Sequence, residues 1–258
     1  MCTVMKKTII IKDLKVGEGA PKIVVPIVGK TGEEIIQKAN SFKGIKIDFV
    51  EWRADFYDEV LNIGKVLDTL RDLKTALNNT SIIFTFRTKK EGGEKEISTE
   101  YYTALNKAVA ESGNVDLVDV EIFLGDGVIE ENIKNIHEAG VLVVGSNHDF
   151  LKTPDKDDIV SRLRKMQEMG VDIPKMAVMP KSTEDVLTLL EATNEMYIKY
   201  ADRPIITMSM GPLGVISRLS GEIFGSAMTF GAVGETSAPG QIPVEELATT
   251  LDILHRAL

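Results

Sequence analysis

The chain has 258 residues, of which 43% are hydrophobic and 27% charged, and its net charge is -9. This is a globular composition with enough chain for one large α/β domain, and the acidic balance argues against nucleic acid and anionic membrane surfaces, both of which need a basic face. The single cysteine, Cys2, can build neither a disulfide framework nor a zinc cluster and fits a reducing cytoplasm; no apolar run reaches the length of a signal core or a membrane span.

Thr8 to Lys15, followed by Gly17 and Gly19, reads as a small hairpin or strand ahead of the main body. After it, short apolar runs alternate with amphipathic ones. The spacing predicts strand one over Lys22–Val28 and a helix over Gly32–Ser41. Strand two is expected at Lys46–Arg53 with a long helix at Glu59–Leu77. Strand three is expected at Ser81–Phe86, followed by a charged loop and a helix from an N-cap at Ser98 to Glu111. Strand four covers Val115–Glu121 with a helix near Val128–Ala139, and strand five Val141–Ser146 with a helix at Pro154–Met169. Strand six lies within Val171–Pro180, before a helix at Ser182–Tyr200. Strand seven is Pro204–Met208 with a helix near Leu213–Leu219. Strand eight is Ala227–Phe230, then a glycine-rich loop to Gln241 and a last helix at Val244–Ala257.

Eight βα units with short, nearly all-apolar strands predict a closed (β/α)₈ TIM barrel preceded by a short N-terminal hairpin, as one domain over residues 1–258. A doubly wound open sheet is the alternative. It is weaker because Val28-Gly29-Lys30-Thr31-Gly32 lacks the spacing of a dinucleotide-binding turn.

A barrel places its chemistry at the C-terminal strand ends, so the polar residues there are the candidates. Lys175 stands inside an apolar run and shares a face with Ile173, Ala177 and Met179. A lysine in apolar surroundings loses the solvation of its charge, and a neutral amine adds to ketones; the alternative is a lysine paired with a buried acid. Glu51 and Arg53 end strand two, Arg87 ends strand three, Asp119 and Glu121 end strand four, and Met208 ends strand seven. Glu51 with Arg53, and Arg87 with Asp119, are also readable as structural ion pairs, and Asp119 with Glu121 as a solvated strand end. His148 ends the strand before that of Lys175. Adjacent strands lie about 4.8 Å apart, so the two side chains can share one pocket where imidazole moves protons. His137 and His255 read as surface or helix-end residues, and three scattered histidines argue against a metal site. Arginines at the same mouth, with Arg218 a further one, suit a ketone that carries a carboxylate. The loop from Gly231 to Gln241 is either a lid, with Ser237 and Gln241 reaching the ligand, or a plain surface loop.

Taken in order, Glu51-Trp52-Arg53, Phe84-Thr85-Phe86-Arg87, Lys90-Glu91-Gly92-Gly93-Glu94, Asp119-Val120-Glu121, Ser146-Asn147-His148-Asp149-Phe150, Ile173-Pro174-Lys175-Met176-Ala177-Val178-Met179-Pro180, Thr207-Met208-Ser209-Met210, Ile216-Ser217-Arg218 and Ser237-Ala238-Pro239-Gly240-Gln241 resemble the type I 3-dehydroquinate dehydratases along nearly the whole chain. The resemblance implies a (β/α)₈ barrel and a lyase of the shikimate pathway of aromatic amino acid biosynthesis. That lyase converts 3-dehydroquinate to 3-dehydroshikimate by syn elimination, with no cofactor. It implies Lys175 as the Schiff-base lysine, His148 as the proton carrier and Glu91 as the acid that orients it. Glu51, Arg53, Arg87, Met208, Arg218, Phe230, Ser237 and Gln241 would form the substrate-binding set, with Arg218 on the carboxylate. A cytoplasmic homodimer is also implied. Pro26 departs from the pattern, since some members place a serine there, and one substrate hydrogen bond is the contact at issue. Two rivals remain: a class I aldolase-type lyase using the same lysine chemistry, and a non-catalytic barrel that binds an anionic metabolite.

Overall fold

In a computed structural model, residues 8–234 and 238–258 are described. An antiparallel hairpin of β1 (Ile9–Ile11) and β2 (Leu14–Val16) precedes the barrel strands. These are β3 (Lys22–Ile27), β4 (Phe49–Arg53), β5 (Ser81–Thr85), β6 (Leu117–Glu121), β7 (Leu142–Asp149), β8 (Ile173–Val178), β9 (Ile206–Ser209) and β10 (Met228–Ala232), with β11 (Ile242–Pro243) added at the edge of β10. Neighbours from β10 through β3 round to β9 are all parallel. The remaining junction, between β9 and β10, is closed by one parallel bridge, Ile205 to Ser226. Around it the Ala227 amide donates to the Ile205 carbonyl at 2.8 Å, and the Thr207 amide to the Ser226 hydroxyl at 3.0 Å. The expected TIM-barrel architecture and the leading hairpin are both present.

Every barrel strand is covered by helix outside and side chains inside, which explains why the runs are apolar on both faces. The inner face gathers Val24, Phe49, Ile83, Leu117, Val144, Ile173, Ala177 and Ile206. Ile11 and Val16 of the hairpin join this cluster, so the hairpin plugs the N-terminal end of the barrel. Lys12 ties the plug down through the Asn79 and Thr80 carbonyls and through Asp116 at 3.2 Å. With one end filled, the open mouth is the C-terminal end. Phe49 is fully buried at this plugged end, so Phe49→Ala is expected to cost about 3–5 kcal/mol in a denaturant titration. A loss under 1 kcal/mol would mean that the barrel interior is loosely packed.

Strand order and phase match the expectation, but several boundaries move for local reasons. Strand two starts at Phe49 because the Asp48 carboxylate turns to accept the Ile23 amide at 2.7 Å. The helix expected from Glu59 is α2 (Ile63–Leu77), since Asn62 caps the Lys65 amide. Ser98 caps α3 (Thr99–Glu111) as expected. The sixth helix is α-helical over Thr183–Glu195 and then widens into a π-helical turn, Met196–Tyr200. Strand five runs to Asp149 rather than stopping at Ser146, because Asn147, His148 and Asp149 pair in register with Met176, Ala177 and Val178. That extension puts His148 on a rigid strand rather than on a loop.

Candidate active site

Lys175 projects from β8 into the barrel mouth and is 4% exposed. Its surroundings are those of the alternative reading, a lysine paired with buried acids. Lys175 Nζ lies 3.4 Å from Glu51 Oε1 and 3.4 Å from Asp119 Oδ2, and 4.5 Å above the Phe230 ring. The carboxylates come from strands β4 and β6 and replace the water that burial removes. Asp119 and Glu121 are fully buried, so they do not solvate a strand end. Burial alone would raise the Asp119 carboxyl, but Arg87 and then Lys175 outweigh it and hold it below its ordinary value.

The expected Arg87–Asp119 pair is present at 2.8 Å, and Arg87 also reaches Glu121 at 3.0 Å and the Ser146 hydroxyl at 2.9 Å. Glu51 and Arg53 do not form the structural ion pair that was one of their two readings. Arg53 instead grips Asp55 with two hydrogen bonds of 2.8 Å, because the chain turns into a 3₁₀ segment, Ala54–Phe56, immediately after β4. Glu51 is left to accept from the Thr85 hydroxyl at 3.0 Å and to face Lys175. Asp55 also accepts from the Arg87 and Glu94 amides and thereby fastens the loop after β5.

That loop carries Glu91. It is tight: a side chain on Gly93 would place its Cβ 1.9 Å from the Arg87 carbonyl oxygen, so only glycine fits. Glu91 Oε2 accepts from the His148 amide at 2.9 Å and lies 3.0 Å from His148 Nδ1, while Oε1 accepts from Asn147 Nδ2 at 3.1 Å. Burial pushes the Glu91 carboxyl up to about 7, against Arg87, which lowers it. Burial, then Arg87, Lys175 and Arg53, pushes His148 well below the ordinary imidazole range. His148 is therefore a neutral imidazole at neutral pH, and its second nitrogen is free to act as a base. In strand register Lys175 stands opposite Ser146, and His148 opposite Ala177, one inward-facing layer nearer the mouth.

Both residues line one cavity of about 220 Å³, which suits a small-ring metabolite rather than a dinucleotide. Glu51, Arg53, Arg87, Glu91, Met208, Arg218, Phe230 and Gln241 line it too, so the cavity brings together every expected site residue except Ser237, which lies outside the described residues. Pro26 faces Glu51 in register but does not reach the cavity wall.

Among the arginines, Arg218 differs. Arg53 and Arg87 already hold carboxylates, whereas among the described residues Arg218 has none within ion-pair distance. It is 2% exposed, donates one N–H to the Pro239 carbonyl at 3.0 Å and leaves its Nε unpartnered. Burial lowers it to about 10, so it stays cationic. A buried, uncompensated guanidinium on a cavity wall is a seat for an anion. Pro239 holds the final loop in place by accepting from Arg218 and from the Gly211 amide at 3.2 Å. Among the described residues, no group of three or more His, Cys, Asp or Glu could hold a metal, and no helix is long and apolar enough to cross a membrane. His137 and His255 pair with Asp172 and Glu222 outside the mouth. Asp55 and Asn147 were given no role from the sequence; Asp55 lies two residues past Arg53, and Asn147 appeared only as part of the motif at residues 146–150.

The family model for type I 3-dehydroquinase matches residues 23–257. A 3-dehydroquinate dehydratase of Clostridioides difficile (strain 630) is 54% identical over 254 residues, covering 98% of this chain and all of that protein. A type I 3-dehydroquinate dehydratase from Clostridium difficile, solved with covalently modified comenic acid, superposes with a TM-score of 0.96 at 54% identity, covering 98% of this chain and 100% of that one. The 3-dehydroquinate dehydratase of Enterococcus faecalis superposes with a TM-score of 0.89 at 44% identity, covering 95% and 98%.

Proposed function

The chain belongs to the type I 3-dehydroquinase family and is a 3-dehydroquinate dehydratase, and from this premise we propose that it removes water through a Schiff base on Lys175. The observation that carries the proposal is the cavity itself. A buried amine and an imidazole held by Glu91 line one small space, and its wall holds Arg218, which among the described residues has no carboxylate within ion-pair distance.

The Lys175 amine adds to the C3 carbonyl of 3-dehydroquinate. With His148 assisting proton transfer, the carbinolamine loses water and becomes an iminium, with the new C–N bond replacing C=O. The iminium withdraws electrons from C2, and His148 removes the C2 proton as the C–H pair moves into an enamine. The C1–O bond then breaks, the enamine pair returns through C2 to form the C1–C2 double bond, and the departing hydroxyl takes its proton from the His148 imidazolium. One base serving both steps requires loss of the two groups from the same face. Hydrolysis of the product iminium frees 3-dehydroshikimate and restores Lys175.

Glu51 and Asp119 stabilise the cationic iminium at the place where they now flank the amine. Arg218 takes the substrate carboxylate, and Met208, Phe230 and Gln241 pack around the ring. Arg53 and Arg87 act mainly by holding Asp55, Asp119 and Glu121. The family resemblance adds Ser237, which lies outside the described residues, to the substrate-binding set. The protein works as a single-domain subunit of a cytoplasmic homodimer in the shikimate pathway and needs no added cofactor.

A turnover assay on 3-dehydroquinate, followed by the absorbance of the conjugated product, tests the reading as a whole. Arg218→Met should raise KM by about 100-fold, since a charge-assisted bidentate contact is lost in a buried setting. Unchanged KM in that variant would move the carboxylate seat elsewhere.

A further inference from the structure

The outer wall of the site carries a chain of contacts that leads away from the cavity. Asn147 is on the helix-facing side of β7, with its neighbours Ser146 and His148 facing inward. Its Nδ2 reaches Glu91 Oε1 at 3.1 Å, and its Oδ1 accepts from Arg162 NH1 at 3.1 Å. Arg162 belongs to α5 (Lys156–Glu168) and is itself held by Asp158 one turn earlier, through bonds of 2.9 and 2.6 Å. Its guanidinium also lies over the Phe123 ring, 5.7 Å from the centroid.

Arginine has no acceptor atom, so only the amide oxygen of Asn147 can face it. The NH₂ group must then face Glu91, and Glu91 Oε1 must accept. The His148 amide donates to Oε2, so in the ionised carboxylate both oxygens accept. With both oxygens held as acceptors, the Nδ1 of His148 serves as the donor at 3.0 Å, which leaves the lone pair on Nε2.

Building on the Schiff-base reading, we propose that Asn147 and Arg162 are positioning residues: together they hold Glu91 as an acceptor at both oxygens and thereby fix His148 as the Nδ1–H tautomer, with Nε2 free to take the substrate proton. The groove outside this wall is lined by Lys90, Phe123, Asp158, Arg162 and Lys165, so the Arg162 end of the chain of contacts lies away from the substrate cavity. The charged groups facing the pair are Arg53 from β4, Arg87 after β5, Glu121 from β6 and Lys175 from β8. None of them touches Asn147 in a way that would replace Arg162 as its donor.

Loss of Arg162 frees the amide to turn. An oxygen facing Glu91 would favour the protonated carboxyl, so protonation would begin at higher pH. The acid limb of kcat/KM for Arg162→Met should therefore move to higher pH by about one pH unit, roughly a tenfold loss at a pH on that limb. Asn147→Leu, which deletes the donor outright, should move it the same way. In a Glu91→Gln background the Arg162 substitution should add no further movement. ¹⁵N spectra of the histidines, of which the chain has three, should show His148 as the Nδ1–H form in the parent and as a mixture in Arg162→Met.

A limb and a tautomer that stay put while only the unfolding midpoint falls would overturn the proposal and leave the pair a structural tether. Failure of the underlying reading looks different: the parent enzyme itself would then form no reducible adduct at Lys175.

Discussion

Lys175→Ala should abolish turnover, lowering kcat by on the order of 10⁵-fold, the scale lost when a covalent nucleophile is removed. Binding of 3-dehydroquinate should survive, because Arg218 and the cavity wall do not depend on the amine. The same substitution strips Glu51 and Asp119 of the cation they share at 3.4 Å. Asp119 keeps Arg87 at 2.8 Å, but Glu51 is left buried with no ion-pair partner among the described residues; breaking such a buried pair costs about 3–5 kcal/mol, so a simple loss of activity would be ambiguous. Lys175→Arg separates the effects: it keeps a cation between the carboxylates but offers no nucleophilic amine, because guanidinium stays protonated. It should recover much of the stability and none of the turnover, as judged by denaturant titration beside the turnover assay. Substantial activity in the arginine variant would place the chemistry elsewhere.

His148→Ala should lower kcat by about 10³–10⁴-fold, near the upper range for a general acid–base group. Its signature differs from that of the lysine variant. The imine still forms, since the amine and its carboxylates remain, but neither the C2 proton nor the leaving hydroxyl is served. Borohydride should therefore trap an adduct that accumulates and turns over slowly. Near-parental turnover would contradict the assigned role, and absence of any adduct would show that the imine cannot form without the assistance of His148.

The barrel was legible because its signal is local. Eight apolar runs with helical runs between them repeat along the chain, and the inward phase of each strand can be read from alternation, as for Ile173, Lys175 and Ala177. The His148–Lys175 juxtaposition followed from the same phase once consecutive strands were paired. What stayed hidden is non-local. Glu51 and Asp119 meet Lys175 across the barrel, at 124 and 56 residues of separation, and no periodicity within β8 reports them. That is why the apolar run around Lys175 left open whether buried acids pair with the amine. The Arg53–Asp55 grip depends on a turn that begins where the strand stops, so an alternation argument instead paired Arg53 with Glu51. Glu91 lies in a loop with no period at all; the family resemblance named it, and geometry supplied its contacts with His148 and Asn147. Asn147 faces away from the mouth and was passed over because strand-end reasoning looks inward.

Three groupings organise the centre: Lys175 between two carboxylates, Glu91 against His148, and Arg218, which holds the Pro239 carbonyl but no carboxylate among the described residues. The first predicts where a covalent bond forms, and it can be tested without any substitution. The protein is incubated with 3-dehydroquinate and borohydride, digested, and its peptides are weighed. The account predicts irreversible inactivation and a mass increase, equal to the reduced substrate imine, on the peptide containing Lys175. Full turnover with no added mass on that peptide would contradict it.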